Sequence, residues 1–238
     1  MIKNYLTIII PCKNEEKYIT RTLSILQKQN DIHGTKIYIA DANSTDNTIK
    51  YINDFKKNNK VLDIEIIKGG MVSVARNNGL KKVNTKYTLF LDADTVIKNK
   101  NHIKYYIEKM IKYDLHLMAS PVYCTVDDFF AKLMYFLFNI SNKFLSMFQP
   151  FSVGMFFLTD TQKVKKLGGF DETVIHSEDY LLSKKYSIKK FKIGKYKVGQ
   201  DNRRFKRFGY FKMIKMLIFG LLNQNNIEYY RKDNGYWN

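Results

Sequence analysis

The stretch Lys86-Tyr87-Thr88-Leu89-Phe90-Leu91-Asp92-Ala93-Asp94-Thr95 is an apolar run that ends abruptly in two carboxylates. Short uninterrupted runs of strand-forming residues mark strands buried on both faces. In an open α/β sheet, ligands sit beyond the carboxyl ends of the strands. Asp92 and Asp94 are two residues apart, so in extended chain their side chains point to one side. Two hard oxygen donors placed this way can hold one Mg²⁺ or Mn²⁺ and leave positions for phosphate oxygens and water. A plainer account is a strand followed by an aspartate-rich turn. Asp-x-Asp alone does not decide between the two.

Working outward from this strand, apolar runs alternate with segments of helical periodicity. Strands are expected at 5–11, 36–40, 61–67 and 88–91, and another at 115–123. Helices are expected at 15–29, 45–55, 72–83 and 102–112. Residues Tyr18, Ile19, Leu23 and Leu26 set the stripe of the first helix, and Ile49, Ile52 and Phe55 that of the second. Gly69 and Gly70 break the chain before the third. This alternation predicts an α/β fold with a mostly parallel, doubly wound sheet.

Parallel connections bring the strand ends to one edge of the sheet. The first carries Pro11-Cys12-Lys13-Asn14-Glu15-Glu16, the second Asp41 to Thr48, and the third Asp92-Ala93-Asp94. Ser44 or Thr45 also reads as a helix N-cap, with Asp46 favouring the helix dipole. Asp41 sits before that turn, where it can accept hydrogen bonds from a base or ribose. Arg76 follows the glycine break on a helix aimed at the same edge. Its planar fork of donors suits a phosphate.

The 238 residues hold 40 Lys plus Arg against 22 Asp plus Glu, a net charge of +18. Such a surface favours polyanions: anionic lipid, phosphorylated substrates or nucleic acid. Much of the excess is Lys in a chain rich in Asn and Ile, so charge alone selects no partner. Cys12 and Cys124 are too few for a disulfide framework and fit a reducing compartment. There is no basic start followed by an apolar secretory segment, and no apolar run of membrane-spanning length. A cytoplasmic location is expected.

The ordered set Ile10 to Glu16, Asp41 to Thr48, Ala75-Arg76-Asn77, Leu91 to Asp94, and Gly168-Gly169-Phe170-Asp171-Glu172 followed by Glu178-Asp179 resembles the family 2 glycosyltransferases. The resemblance covers roughly residues 5–205 and rests on five motifs in order and spacing. It implies a GT-A fold, a nucleotide-sugar donor, a divalent metal (Mg²⁺ or Mn²⁺) and inversion at the anomeric carbon. It places Pro11 and Glu15 beside the base pocket, with Lys13 and Ser44 in the same loops and Asp41 on the nucleoside. Arg76 falls near the nucleotide, and Asp92, Ala93 and Asp94 form the metal and diphosphate motif. Asp179 becomes the catalytic base, with Glu178 beside it. Ala42 stands where many members carry a second acid, which weakens the choice of base; uridine is the first expectation. Gln200-Asp201-Asn202-Arg203-Arg204 is similar to the Gln-x-x-Arg-Trp of processive members, but lacks the Trp. A non-processive enzyme is therefore expected. Arg203 and Arg204 read equally as contacts to the donor diphosphate or a phosphorylated acceptor, or as a solvated basic turn with Lys206 and Arg207.

From 128 to 148 the polar positions Asp128, Lys132, Asn139, Lys143 and Ser146 fall near multiples of the helical repeat. Aromatic and aliphatic residues fill the rest. The segment 208–222 is similar, with Lys212 and Lys215 on one side. A wide apolar face on a lysine-bearing helix suits an anionic membrane surface. The alternatives are packing on the sheet or across a homodimer. The expected organisation is a GT-A domain over 1–205 and a C-terminal amphipathic helix and tail over 206–238. The expected enzyme moves a sugar, UDP-linked by preference, to a hydroxyl acceptor, lipid-linked or on a cell-surface glycan, peripherally on the cytoplasmic membrane face. Two rivals remain: a haloacid-dehalogenase-like phosphatase with Asp92 as nucleophile, and a non-catalytic basic protein for membranes or nucleic acid. The second leaves the carboxylates without a purpose, so nucleic acid is not the expected partner.

Overall fold

The computed structural model describes residues 2–233. Its elements are β1 (Leu6–Cys12), α1 (Ile19–Gln27), β2 (Lys36–Asp41), α2 (Thr48–Asn58), β3 (Asp63–Lys68), α3 (Val72–Lys82), β4 (Tyr87–Leu91), β5 (Val96–Ile97) and α4 (His102–Lys112). They continue with β6 (Leu117–Ala119), β7 (Val122–Cys124), α5 (Phe129–Leu145), β8 (Phe156–Asp160), α6 (Thr161–Lys166) and α7 (Glu178–Ser183). The last are β9 (Phe191–Ile193), β10 (Val198–Gln200), α8 (Arg203–Phe208), α9 (Tyr210–Leu222) and α10 (Ile227–Arg231). Among the described residues one sheet has seven strands in the order β3-β2-β1-β4-β8-β6-β9, and a second has the order β5-β10-β7.

The strand β1 shows why the sheet is covered on both sides. Ile8 and Ile10 face a core with Ile19 and Leu23 of α1, while Ile9 faces Leu80, Phe90 and Phe157 on the other side. All of these are fully or nearly fully buried. Each such side chain contributes about 1.5–3 kcal/mol on leaving water. The expected α/β, mostly parallel arrangement is present: β1 pairs in parallel with β2 and β4, and β2 with β3.

Three differences from the expected order have physical causes. The run expected as one strand over 115–123 is two, β6 and β7, in different sheets. Pro121 lies at the break, where its missing N–H cannot extend a ladder. The strand β8 was not expected, and it lies antiparallel to both β4 and β6. Its Phe156-Phe157-Leu158-Thr159 run is wholly buried, so it lacks the alternation that marks a half-exposed strand. The 208–222 segment is cut at Gly209, whose φ of 78° is the left-handed conformation that ends α8 before α9 begins. The expected boundary at 205/206 falls within α8, and residues 234–238 of the expected extension lie outside the described residues.

The segment 128–148 is helical, but its polar positions do not form one solvent-facing stripe. Asn139 turns inward, donating through Nδ2 to the Val122 carbonyl (2.7 Å) and accepting the Val122 N–H through Oδ1 (2.9 Å). Asn142 is buried, and Asp128 caps the helix by accepting from Ala131 N. Outward stand Phe129, Phe136, Ile140, Phe144 and, just past the helix, Phe148. On α9 the outward residues include Phe211, Ile218 and Leu222. No helix among the described residues is long and apolar enough to cross a membrane.

Candidate active site

Register places the functional ends together, since Cys12 at the end of β1 pairs with Asp41 at the end of β2. The loops there and beyond β4, with α8, surround a pocket of about 750 Å³. Pro11, Lys13, Glu15, Asp41, Asp92, Ala93, Asp94, Arg203 and Arg204 all line it, so the structure brings these candidate residues to one pocket. Ser44 is close by but acts on Asp41: its N–H and hydroxyl both donate to that carboxylate, and its Oγ accepts from Asn14 N. Ser44 and Thr45 are not N-caps, because α2 starts at Thr48 and Asp46 takes the Thr48 N–H. The pocket floor requires Gly69, since a Cβ there would lie 2.5 Å from the Asp41 backbone.

Asp92 and Asp94 do not follow extended-chain alternation. They belong to a turn closed by Thr95 N donating to Asp92 O (3.2 Å). Each consequently meets a different arginine. Asp94 Oδ2 accepts from Arg203 Nη2 at 2.6 Å and from Gln200 Nε2 at 3.3 Å. The same Arg203 Nη2 lies 3.1 Å from Glu15 Oε1, joining the end of β1 to α8. Burial pushes the Asp94 carboxyl above its ordinary range, with Arg203 opposing, and Glu15 is displaced in the same direction for the same reason.

Arg76, expected at a phosphate, turns inward. It is 2% exposed and lines a neighbouring cavity of about 270 Å³ rather than the larger pocket. Its guanidinium binds Asp92 Oδ1 at 2.9 Å and also Glu178, and lies over the Phe170 ring. Gly154 permits this, because a Cβ there would strike Arg76 Nη2. Gly154 N–H also donates to Asp179 Oδ2, while Asp179 Oδ1 accepts from Tyr180 N at 2.7 Å. Removing one partner from a buried ionic cluster of this kind costs about 3–5 kcal/mol.

Glu178 and Asp179 open α7 and line the smaller cavity with Arg76 and Asp92. Burial raises both carboxyls, with Arg76 opposing in each case. Ser177, immediately before them, has φ 61°, a left-handed backbone that costs a non-glycine residue about 1–3 kcal/mol and recurs at functional sites. Asp92 and Arg204 line both cavities, so the two spaces meet there.

Asp92 and Asp94 offer hard carboxylate oxygens, the donor type that Mg²⁺ and Mn²⁺ take. Among the described residues no group of three or more His, Cys, Asp or Glu is arranged to hold a metal. Each of the two is engaged by an arginine in this structure, so a cation shared by them would draw its remaining ligands from phosphate and water. Sequence reasoning missed Gly154 and the inward turn of Arg76. A lone glycine before the apolar run of β8 hints at close approach, but nothing in the sequence ties position 154 to position 76.

The family model for glycosyl transferase family 2 matches residues 7–167. The processive diacylglycerol β-glycosyltransferase of Mycoplasma genitalium is 31% identical over 122 residues, 49% of this chain and 36% of that protein. The poly(ribitol-phosphate) β-N-acetylglucosaminyltransferase TarS of Staphylococcus aureus is 37% identical over 102 residues, 41% of this chain and 17% of that one. The chain thus spans about a third or less of the length of these two relatives. Among solved structures, S. aureus TarS with UDP-GlcNAc aligns with a TM-score of 0.63 at 21% identity, covering 83% of this chain and 58% of that one. The mannosyltransferase PcManGT from Pyrobaculum calidifontis, with GDP-Man and Mn²⁺, aligns at 0.67 and 16% identity, covering 88% and 64%. The chain has the GT-A fold and belongs to glycosyl transferase family 2.

Proposed function

We propose that this protein is an inverting glycosyltransferase that moves a sugar from a nucleoside-diphosphate sugar to a hydroxyl acceptor, lipid-linked or on a cell-surface glycan. The observation that carries this is the meeting of two cavities at Asp92 and Arg204, one lined by the strand-end loops and the other by Glu178 and Asp179. UDP is the preferred nucleotide, in keeping with the TarS complexes with UDP and UDP-GlcNAc. A divalent metal is in keeping with Mn²⁺ in PcManGT. Family membership removes the support for a phosphatase with Asp92 as nucleophile or a non-catalytic basic module.

Pro11 and Glu15 flank the base, with Lys13 in the same loop, and Asp41, steadied by Ser44, takes the nucleoside. Asp92 and Asp94 would hold Mg²⁺ or Mn²⁺, which when bound offsets charge on the diphosphate. Ala93 contributes backbone to that turn, and Arg203 and Arg204 add positive charge beside it. Asp179 accepts the acceptor's proton while the acceptor oxygen bonds to the anomeric carbon. The diphosphate leaves from the opposite face with the electron pair of the broken bond, which gives one inversion. Glu178, bound to Arg76, positions Asp92 and the start of α7. Residues 1–205 carry this machinery, and the C-terminal segment from 206 carries the apolar extension.

Calorimetry with UDP and Mn²⁺ tests the donor side. Asp94→Ala is expected to abolish the metal-dependent part of binding while the chain stays folded. Unchanged affinity in a folded variant overturns the metal assignment. A screen of UDP- and GDP-sugars for metal-dependent release of free nucleotide tests the activity itself.

A further inference from the structure

We propose that the smaller cavity is the acceptor site and that it takes a lipid alcohol, its hydrocarbon chain running between α5 and α9 and its hydroxyl reaching Asp179. This rests on the glycosyl-transfer reading and names the acceptor for it. The cavity has two chemically distinct ends. One holds the charged groups Arg76, Asp92, Glu178, Asp179 and Arg204, of which Asp92 and Arg204 also line the donor pocket. The other is walled by Met134, Tyr135 and Phe138 of α5 and by Met213, Met216 and Leu217 of α9. Methionine and aromatic walls adapt to a flexible alkyl chain, and Phe151, Val153 and Met155 extend that apolar lining beside the polar His176, Ser177, Tyr180 and Gln200.

The surroundings select the same ligand. Leu217 lines the cavity yet is 39% exposed, so the cavity reaches the molecular surface beside α9. That surface is apolar and inverted: α5 turns Asn139 and Asn142 inward and Phe129, Phe136 and Phe144 outward. Lys143 on α5, Lys212 and Lys215 on α9, and Lys206 and Arg207 on α8 are exposed on the same helices, and Lys132 on α5 is exposed and paired with Asp127. Apolar breadth on cation-bearing helices matches an anionic bilayer surface, with side chains seated among acyl chains and lysines among headgroups. A cavity of about 270 Å³ takes the head and the first part of a chain. The remainder stays in the leaflet against α5 and α9. A lipid hydroxyl is thereby delivered to the base without leaving the membrane.

The test uses the full chain and a diacylglycerol carrying a diazirine in one acyl chain, presented in micelles with anionic lipid. Photolysis and peptide mass spectrometry are expected to place the label on Met134, Phe138 or Met216, and a tenfold excess of dioleoylglycerol should reduce it severalfold. Label confined to the outward Phe129, Phe136, Phe144 or Phe211 overturns the proposal. So does a chain that self-associates through α5 and α9 and takes no label. Leu217→Asp puts a charge at the cavity mouth and is expected to lower cavity label about tenfold; unchanged label in the folded variant overturns the path. UDP calorimetry on the same samples separates the two claims. Cavity labelling without nucleotide binding overturns the donor assignment and supports the lipid site, whereas nucleotide binding with label only outside overturns the lipid site alone.

Discussion

Asp179 holds its place through main-chain donors: Gly154 N–H on one oxygen and Tyr180 N–H on the other. Its neighbour Glu178 is bound by Arg76 instead. This division suits Asp179 to proton transfer and Glu178 to positioning. Asp179→Asn keeps the shape and removes the basic oxygen, so transfer is expected to fall by roughly 10²–10⁴-fold. Nucleotide affinity should survive, and near-normal transfer would move the role elsewhere. Burial raises Asp179 above its ordinary 3.8, and a base works only when deprotonated. Transfer is therefore expected to decline on acidification at a pH above that value, read from kcat/KM against pH. A decline confined to the ordinary carboxylate range would contradict the burial described. Linkage has the same sign: with raised pKa values the native chain binds protons more tightly than the unfolded one. The contribution of this pair to stability is whole below the ordinary carboxylate range and is lost as pH rises through the raised values. The positions of Asp92 and Asp94 just beyond a strand, and of Asp179 in the first turn of a helix, were legible because the apolar run and the glycine break mark them in the sequence. The inward turn of Arg76 was not, because its partners lie 16 and 102 residues away.

The helix α5 shows what periodicity captures and what it misses. Its existence and apolar breadth were plain in the sequence; its orientation was not, since a stripe of Asn and Lys looks alike whether it faces solvent or a strand. Asn139 serves the backbone of Val122 at the end of the order β5-β10-β7, where among the described residues no further strand pairs with β7. On periodicity alone Asn139→Leu would be harmless. The structure predicts a loss of roughly 1–3 kcal/mol for each main-chain group left unpaired, measured by urea unfolding. A variant as stable as the parent would show that Asn139 does not hold the helix to the strand. The strands β1 to β3 were legible because each is followed by a helix of ordinary length, and β4 because its apolar run ends sharply at Asp92. The strand β8 was not, because its position between β4 and β6 is decided by pairing across the whole sheet.

At the scale of the molecule, a net charge of +18 and the exposed apolar faces of α5 and α9 favour peripheral attachment to membranes. Flotation with vesicles rich in anionic lipid is expected at low salt and should weaken as salt rises, because screening shortens the reach of the charges. Protein that stays at the bottom of a low-salt gradient while sedimenting as a dimer would assign the apolar faces to a second copy.

The bridge from Glu15 and Asp94 through Arg203 bears on how this chain can be dissected. The region recognised by the family model stops at residue 167. A fragment cut there keeps the buried Asp94 and discards its arginine, and it keeps Arg76 while discarding Glu178. It also strips β9 from the edge of the large sheet and β10 from the centre of the small one. Such a fragment would carry the family's signature without being a unit of folding. A fragment that keeps these contacts therefore has to include the stretch through α8, whose residues close a site that the first strands only begin.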